Sequence, residues 1–123
     1  MKRIEYTTEV SEDMIDLIEY HLPGRSRDTI SWYKNFSQET ILYYKDGKLD
    51  GMISYFFLDF KFDMIIVMQR DNVFYKSMWK ILKKTIQERV KPIRIMSDPN
   101  NKVLVRGAIR NGGKWVDDEI FFY

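Results

Sequence analysis

The sequence predicts a mixed α/β fold, with a central, mostly antiparallel sheet that contains one parallel strand pair and is flanked by about four helices. Three observations carry this reading. Hydrophobic spacing switches between a period of two and a helical period along the 123 residues. Asp46-Gly47 lies between two alternating segments, which is a hairpin signal. A strand, an amphipathic helix and a second strand follow one another between Phe62 and Met96, as in a crossover joining parallel neighbours.

The elements follow in order. Lys2–Thr8 alternates, with Ile4 and Tyr6 apolar, and reads as the first strand. Ser11 is an N-cap, and Glu12 and Asp13 fall in the first turn, where the helix dipole favours acids. Met14, Ile15, Ile18 and Leu22 bury one face of this helix until Pro23-Gly24 stops it. A shorter helix starts near Ser26 or Asp28, with Ile30, Tyr33 and Phe36 on one side. Thr40–Lys45 and Lys48–Leu58 are strands on either side of the hairpin turn. Asp59–Lys61 turns into the strand Phe62–Met68, whose Ile65-Ile66-Val67 run is apolar on both faces and therefore central.

Asn72 then caps the strongest helix, with a buried stripe of Tyr75, Met78, Trp79, Leu82 and Ile86. Pro92 closes it and opens the strand Ile93–Met96. Asp98-Pro99 reads as the cap and first turn of a last helix through Val103, Leu104 and Ala108. Gly107 and Ala108 are expected to press on the sheet beside Ile93 and Ile95. Asn111-Gly112-Gly113 ends that helix, and Trp115–Tyr123 reads as one closing strand.

Composition narrows the functional classes. With 45% hydrophobic and 15% aromatic residues, the chain has material for one core, and a single domain over 1–123 is expected. Cysteine is absent, which excludes disulfide scaffolds, thiol nucleophiles and thiolate metal sites. No apolar run approaches the roughly 18 residues of a membrane span, so no membrane partner is expected. Met1-Lys2-Arg3-Ile4-Glu5 turns acidic at once and lacks the apolar segment of a secretory signal, which points to the cytoplasm. His21, the one histidine, has two readings, a cation at a helix C-terminus or a catalytic base, and no metal site is expected around it.

Charge is unevenly spread. Residues 1–68 carry 8 basic and 12 acidic side chains, residues 69–114 carry 12 basic and 3 acidic, and the last nine residues add three acids. Lys76, Lys80, Lys83 and Lys84 share one side of a helix, and Lys102, Arg106 and Arg110 recur at four-residue spacing on the next. Such a surface fits a protein partner, with non-specific nucleic acid or another polyanion as a further possibility. Other candidates have two readings. Asp59 and Asp63 are a pair of bases or polar strand ends. Tyr43, Tyr44, Tyr55, Phe56 and Phe57 line an acceptor cleft or form core pairs. Asp117-Asp118-Glu119 reads as a solvated bend.

The element order, together with Asn101, a short amphipathic helix, Gly112 and an aromatic strand from Trp115, resembles the GNAT fold of acyl-CoA-dependent N-acyltransferases. A further likeness is to small GNAT-like proteins of tailed phages, including internal virion proteins. In the acyltransferases a Gln/Arg-x-x-Gly-x-Gly/Ala turn cradles the CoA pyrophosphate on backbone N–H groups. This chain has Gln69-Arg70-Asp71-Asn72-Val73-Phe74-Tyr75, with Asn72 and Phe74 at the glycine positions in one register, Val73 and Tyr75 in the other. The family's general-acid tyrosine falls on Ala108, so no catalytic residue is assigned. Against the family pattern, the chain is expected to end one strand earlier than most members.

The resemblance implies a degenerate CoA site at Met68, Gln69, Arg70, Asn72, Val73 and Asn101, and a partner surface at Lys76, Lys80, Lys83, Lys84, Arg106 and Arg110. The expectation is a non-catalytic, phage-type accessory or virion-associated binding protein without a cofactor, in the host cytoplasm or the virion. The alternative is an N-acetyltransferase using acetyl-CoA, and a nucleic-acid-binding or host-inhibitory module is third.

Overall fold

The computed structural model describes residues 2–57, 63–70, 76–89, 92–96, 101–117 and 119–123. In chain order the elements are β1 (Lys2–Thr7), α1 (Glu12–His21), α2 (Ser26–Phe36), β2 (Ser37–Lys45), β3 (Lys48–Phe56) and β4 (Asp63–Gln69). There follow α3 (Lys76–Glu88), β5 (Ile93–Met96), α4 (Lys102–Arg110), β6 (Lys114–Val116) and β7 (Glu119–Phe122). The strands form one sheet in the order β1-β2-β3-β4-β5-β7-β6. Only β4 and β5 pair in parallel; every other pairing is antiparallel. This is the mixed α/β architecture that the spacing predicts.

Local chemistry explains the frame. Asp46 and Gly47 have φ of 53° and 77°, so both central residues of the β2–β3 turn are left-handed, as a two-residue primed hairpin requires. Ser11 Oγ accepts the Met14 N–H at 3.3 Å and starts α1. β4 is the middle strand and is covered on both sides. Ile65 and Val67 face one core with Met78, Leu82 and Ile86 of α3 and Leu104 and Ala108 of α4. Met64 and Met68 face a second core with Met14, Leu17 and Ile18 of α1 and Tyr33 of α2. The molecule is therefore a sheet between two helix layers, and β4 belongs to both cores. Among the described residues no helix is long and apolar enough to cross a membrane.

Several expectations are corrected. The closing segment is two strands, not one, because Asp117 adopts φ 48° and the chain reverses there, pairing Val116 with Glu119. Trp115 and Ile120 lie directly opposite each other, five residues apart, so the alternation of a single strand is broken at the turn. β7 lies between β5 and β6. The α4 cap is Asn101, whose Oδ1 accepts the Leu104 N–H at 3.3 Å. Asp98-Pro99, Asn72, Asp59 and the Asp59–Lys61 turn lie outside the described residues. Ala108 packs with Ile93 and Ile95 as expected, but Gly107 faces Trp79 of α3: a Cβ there would lie 2.8 Å from the indole ring.

Candidate functional site

β4 stays paired with β3 as far as Gln69, opposite Gly51. Its parallel register with β5 ends earlier, at Ile66 opposite Met96. Among the described residues no strand pairs with the β5 side of Gln69. Backbone groups alternate along a strand, and the Arg70 N–H donates to the Asp50 carbonyl on β3 at 2.9 Å. The backbone groups of Gln69 therefore point the other way, to the side where the described part of β5 ends at Met96.

That side of β4 opens into a cleft of about 960 Å³. Its floor is apolar, made by Met64, Ile66 and Met68. One wall is the α1–α2 corner, with His21, Leu22, Arg25, Asp28 and Trp32. Trp32 is held there by packing on Phe56, with ring centroids 4.2 Å apart. The opposite wall is Arg94 of β5 with Asp117 and Glu119. Arg94 donates to Glu119 at 3.3 Å, and its Nε has no hydrogen-bond partner among the described residues. The cleft thus joins an apolar floor, an open strand edge and a rim carrying both signs of charge.

The sequence-predicted residues divide around this cleft. Met68 is in its floor. Gln69 lends the cleft its backbone, but its side chain shares the parity of Ile65 and Val67 and is buried, with both amide atoms unpartnered. Arg70 is tied to β3: its Nε donates to the Leu49 carbonyl at 2.9 Å and its guanidinium lies 5.7 Å from the Tyr20 ring. Asn101 is 1% exposed and spends its side-chain oxygen on the α4 cap. Asn72 and Val73 lie outside the described residues. Lys76, Lys80, Lys83, Lys84, Arg106 and Arg110 are all exposed, on helices joined through Trp79 and Gly107 and on the sheet face away from the cleft floor.

The remaining candidates sort cleanly. Tyr43, Tyr44, Tyr55 and Phe56 are core residues, and none of them lines the cleft. Asp63 is buried and accepts the Tyr55 hydroxyl at 2.6 Å. Burial, then the neighbouring carboxylate, push the Tyr55 phenol up to about 12. Among the described residues no group of three or more His, Cys, Asp or Glu could hold a metal ion. Sequence reasoning passes over Arg25, Asp28, Trp32 and Arg94, and treats Asp117 and Glu119 as a solvated bend although they form the cleft's far rim. His21 is not only a helix-end cation. Its Nε2 accepts the Gln69 N–H at 2.6 Å, across 48 residues of sequence.

No protein-family model and no curated protein matches the chain. Solved structures do. A Bacillus subtilis acetyltransferase in complex with CoA superposes with a TM-score of 0.64 at 13% identity, over 98% of this chain and 95% of that one. A GNAT-family acetyltransferase from Bacillus cereus matches with a TM-score of 0.60 at 15% identity, over 100% and 96%. The fold is the GNAT fold. An aminoglycoside N-acetyltransferase, also in complex with CoA, matches at 12% identity with a TM-score of 0.63, over 100% and 94%. The expectation of a scaffold without a cofactor is overturned by these neighbours: chains with the same GNAT fold, matched almost end to end, carry CoA. That expectation rested on side chains at 71–75, whereas the open edge of β4 presents main-chain groups.

Proposed function

We propose that this chain is an acyl-CoA-dependent N-acyltransferase, with the acyl-pantetheine arm along the open edge of β4 and the acceptor amine in the cleft beside it. The observation that carries this reading is the Gln69 end of β4, which no described residue of β5 pairs, beside a floor of Met64, Ile66 and Met68. Pantetheine is an extended chain with two amides, and such a chain pairs with a strand edge through main-chain hydrogen bonds. The CoA-bound neighbours support the choice of cofactor, and the acetyltransferases among them favour this reading over a non-catalytic accessory protein.

The chemistry needs little beyond positioning. The neutral amine attacks the thioester carbonyl, a C–N bond forms, the C–S bond breaks, and the amine's proton passes to solvent while the sulfur leaves as CoA thiolate. A thiolate leaves without a dedicated acid, because a thiol has a pKa of about 8.5. That suits a chain whose Ala108 stands at the general-acid position and is wholly buried under the sheet. Holding both reactants in one cleft supplies the rate through proximity.

Two measurements test the proposal. Calorimetric titration with acetyl-CoA gives saturable binding, and a thiol reagent detects CoA release that depends on an added amine. Absence of binding at millimolar acetyl-CoA overturns it.

A further inference from the structure

The edge of β4 carries a competitor from the chain itself. A backbone N–H can only donate, so the 2.6 Å contact from Gln69 N to His21 Nε2 requires a lone pair on Nε2. Nε2 is therefore the acceptor in this contact. The imidazole arrives from the last turn of α1, beside Leu22 and with Tyr20 edge-on at 5.6 Å, and it meets the Gln69 N–H on the cleft side of β4. One N–H serves one strong acceptor. An amide carbonyl of an incoming pantetheine arm and the His21 imidazole cannot both take it.

We propose that His21 is a latch on the cofactor edge: it occupies the Gln69 N–H in the free protein and swings away when the acyl-CoA arm binds. This rests on the acyl-CoA reading above. His21 is a positioning residue, acting on affinity through the strand edge and not on the reacting atoms. Two consequences follow. Removing the imidazole frees the donor, so His21→Ala binds acetyl-CoA more tightly than wild type. The gain is roughly three- to tenfold, the equivalent of one net hydrogen bond. Protonating the imidazole has the same effect, because the imidazolium has no lone pair to offer. The wild-type disadvantage therefore disappears once the imidazole is protonated.

Other charges share the cleft: Arg25 at the N-cap of α2 and Asp28 within it, Arg94 from β5, Asp117 from the β6–β7 turn and Glu119 from β7, with Arg70 adjoining Gln69. They and the phosphates of CoA are the same in both proteins. The ratio of the two dissociation constants at each pH isolates the imidazole.

The experiment is acetyl-CoA titration of wild type and His21→Ala at pH 8 and pH 5.5. The latch predicts a wild-type to variant ratio of roughly three to ten at pH 8 and near one at pH 5.5. A ratio of one at pH 8, or weaker binding by the variant, overturns the latch and leaves the acyl-CoA reading standing. If neither protein binds acetyl-CoA, the acyl-CoA reading fails and takes the latch with it. A second measurement needs no variant. Imidazole nitrogen shifts of ¹⁵N-labelled wild type report an unprotonated, hydrogen-bonded Nε2 in the free protein, and these shifts change when acetyl-CoA saturates it. Signals that stay unmoved at saturation also overturn the latch.

Discussion

Gly113→Ala adds one methyl group at the joint where α4 meets β7. A Cβ there would stand 2.6 Å from Ile120 Cγ2, 2.9 Å from the Ala108 carbonyl oxygen and 3.1 Å from Phe122 Cζ. The carbonyl cannot retreat, because it accepts the Gly113 N–H at 2.9 Å. With the Gly112 N–H on the Ile109 carbonyl at 3.1 Å and Gly112 at φ 95°, that bond completes a Schellman end to α4. Ile120 and Phe122 are each 4% exposed and packed on all sides. The methyl fits only if the helix end or β7 moves.

Overpacking of this kind costs about 1–3 kcal/mol. The unfolded chain loses some freedom when glycine becomes alanine, which returns about 0.4–1 kcal/mol. A net loss of about 1–2 kcal/mol lowers the melting temperature of a chain this size by roughly 4–8 °C, read by circular dichroism. Gly107→Ala is the matched control. Its methyl would lie 2.8 Å from Trp79 Cε2 and Cζ2, but the indole is a half-buried side chain that can shift. The helix interior also returns roughly 1 kcal/mol of propensity. That variant should melt within a few degrees of wild type. Gly113→Ala melting with wild type, or Gly107→Ala losing more than it does, would refute the packing argument.

The Tyr55–Asp63 contact makes stability depend on alkaline pH. The Tyr55 phenol is pushed above its ordinary 10 to about 12, so the folded state holds its proton more tightly. That contribution is complete below pH 10 and is lost as pH rises through 12; urea midpoints should fall between pH 9.5 and 11.5 in wild type and fall less in Tyr55→Phe. At pH 7 the same variant should be less stable by about 1–3 kcal/mol, since Asp63 loses its 2.6 Å partner while remaining buried. Asn101→Ala removes the α4 cap and should cost about 1 kcal/mol in denaturant unfolding. Unchanged unfolding would show that the cap is not what Asn101 provides.

The parts of the fold that were legible in the sequence are those where local chemistry and tertiary contact agree. Asp46-Gly47 needs left-handed backbone wherever it stands, and the chain supplies residues that tolerate it. Ile65-Ile66-Val67 is apolar on both faces because β4 truly has a core on each side. The closing segment misled because its turn is made by a non-glycine residue. Asp117 takes φ 48° with no Gly or Pro to announce it. Gly107 misled in a different way. A small residue on a helix signals a close approach but not the direction of it, and the approach is to Trp79, not to the sheet.

The candidate site was less legible, and the reason is chemical. Reading a cofactor from residue types works when side chains, or the glycines that clear space for a ligand, do the binding. The edge of β4 offers N–H and C=O groups that every residue except proline carries, so the main chain at Gln69 bears no mark in the sequence. What exposes it is the length of a neighbour: β5 pairs with β4 only through Met96, while β3 stays with it to Gln69. His21 is a similar case. On α1 it reads as a cation at a helix end, and only the fold brings its Nε2 to a backbone donor 48 residues away. The rim residues come from four separate elements, each polar for reasons that look local, and the cleft is their one common property. A site built from main chain can keep its geometry while its side chains change. A chain at 12–15% identity to these neighbours shares their fold although it has no glycine between Gln69 and Tyr75.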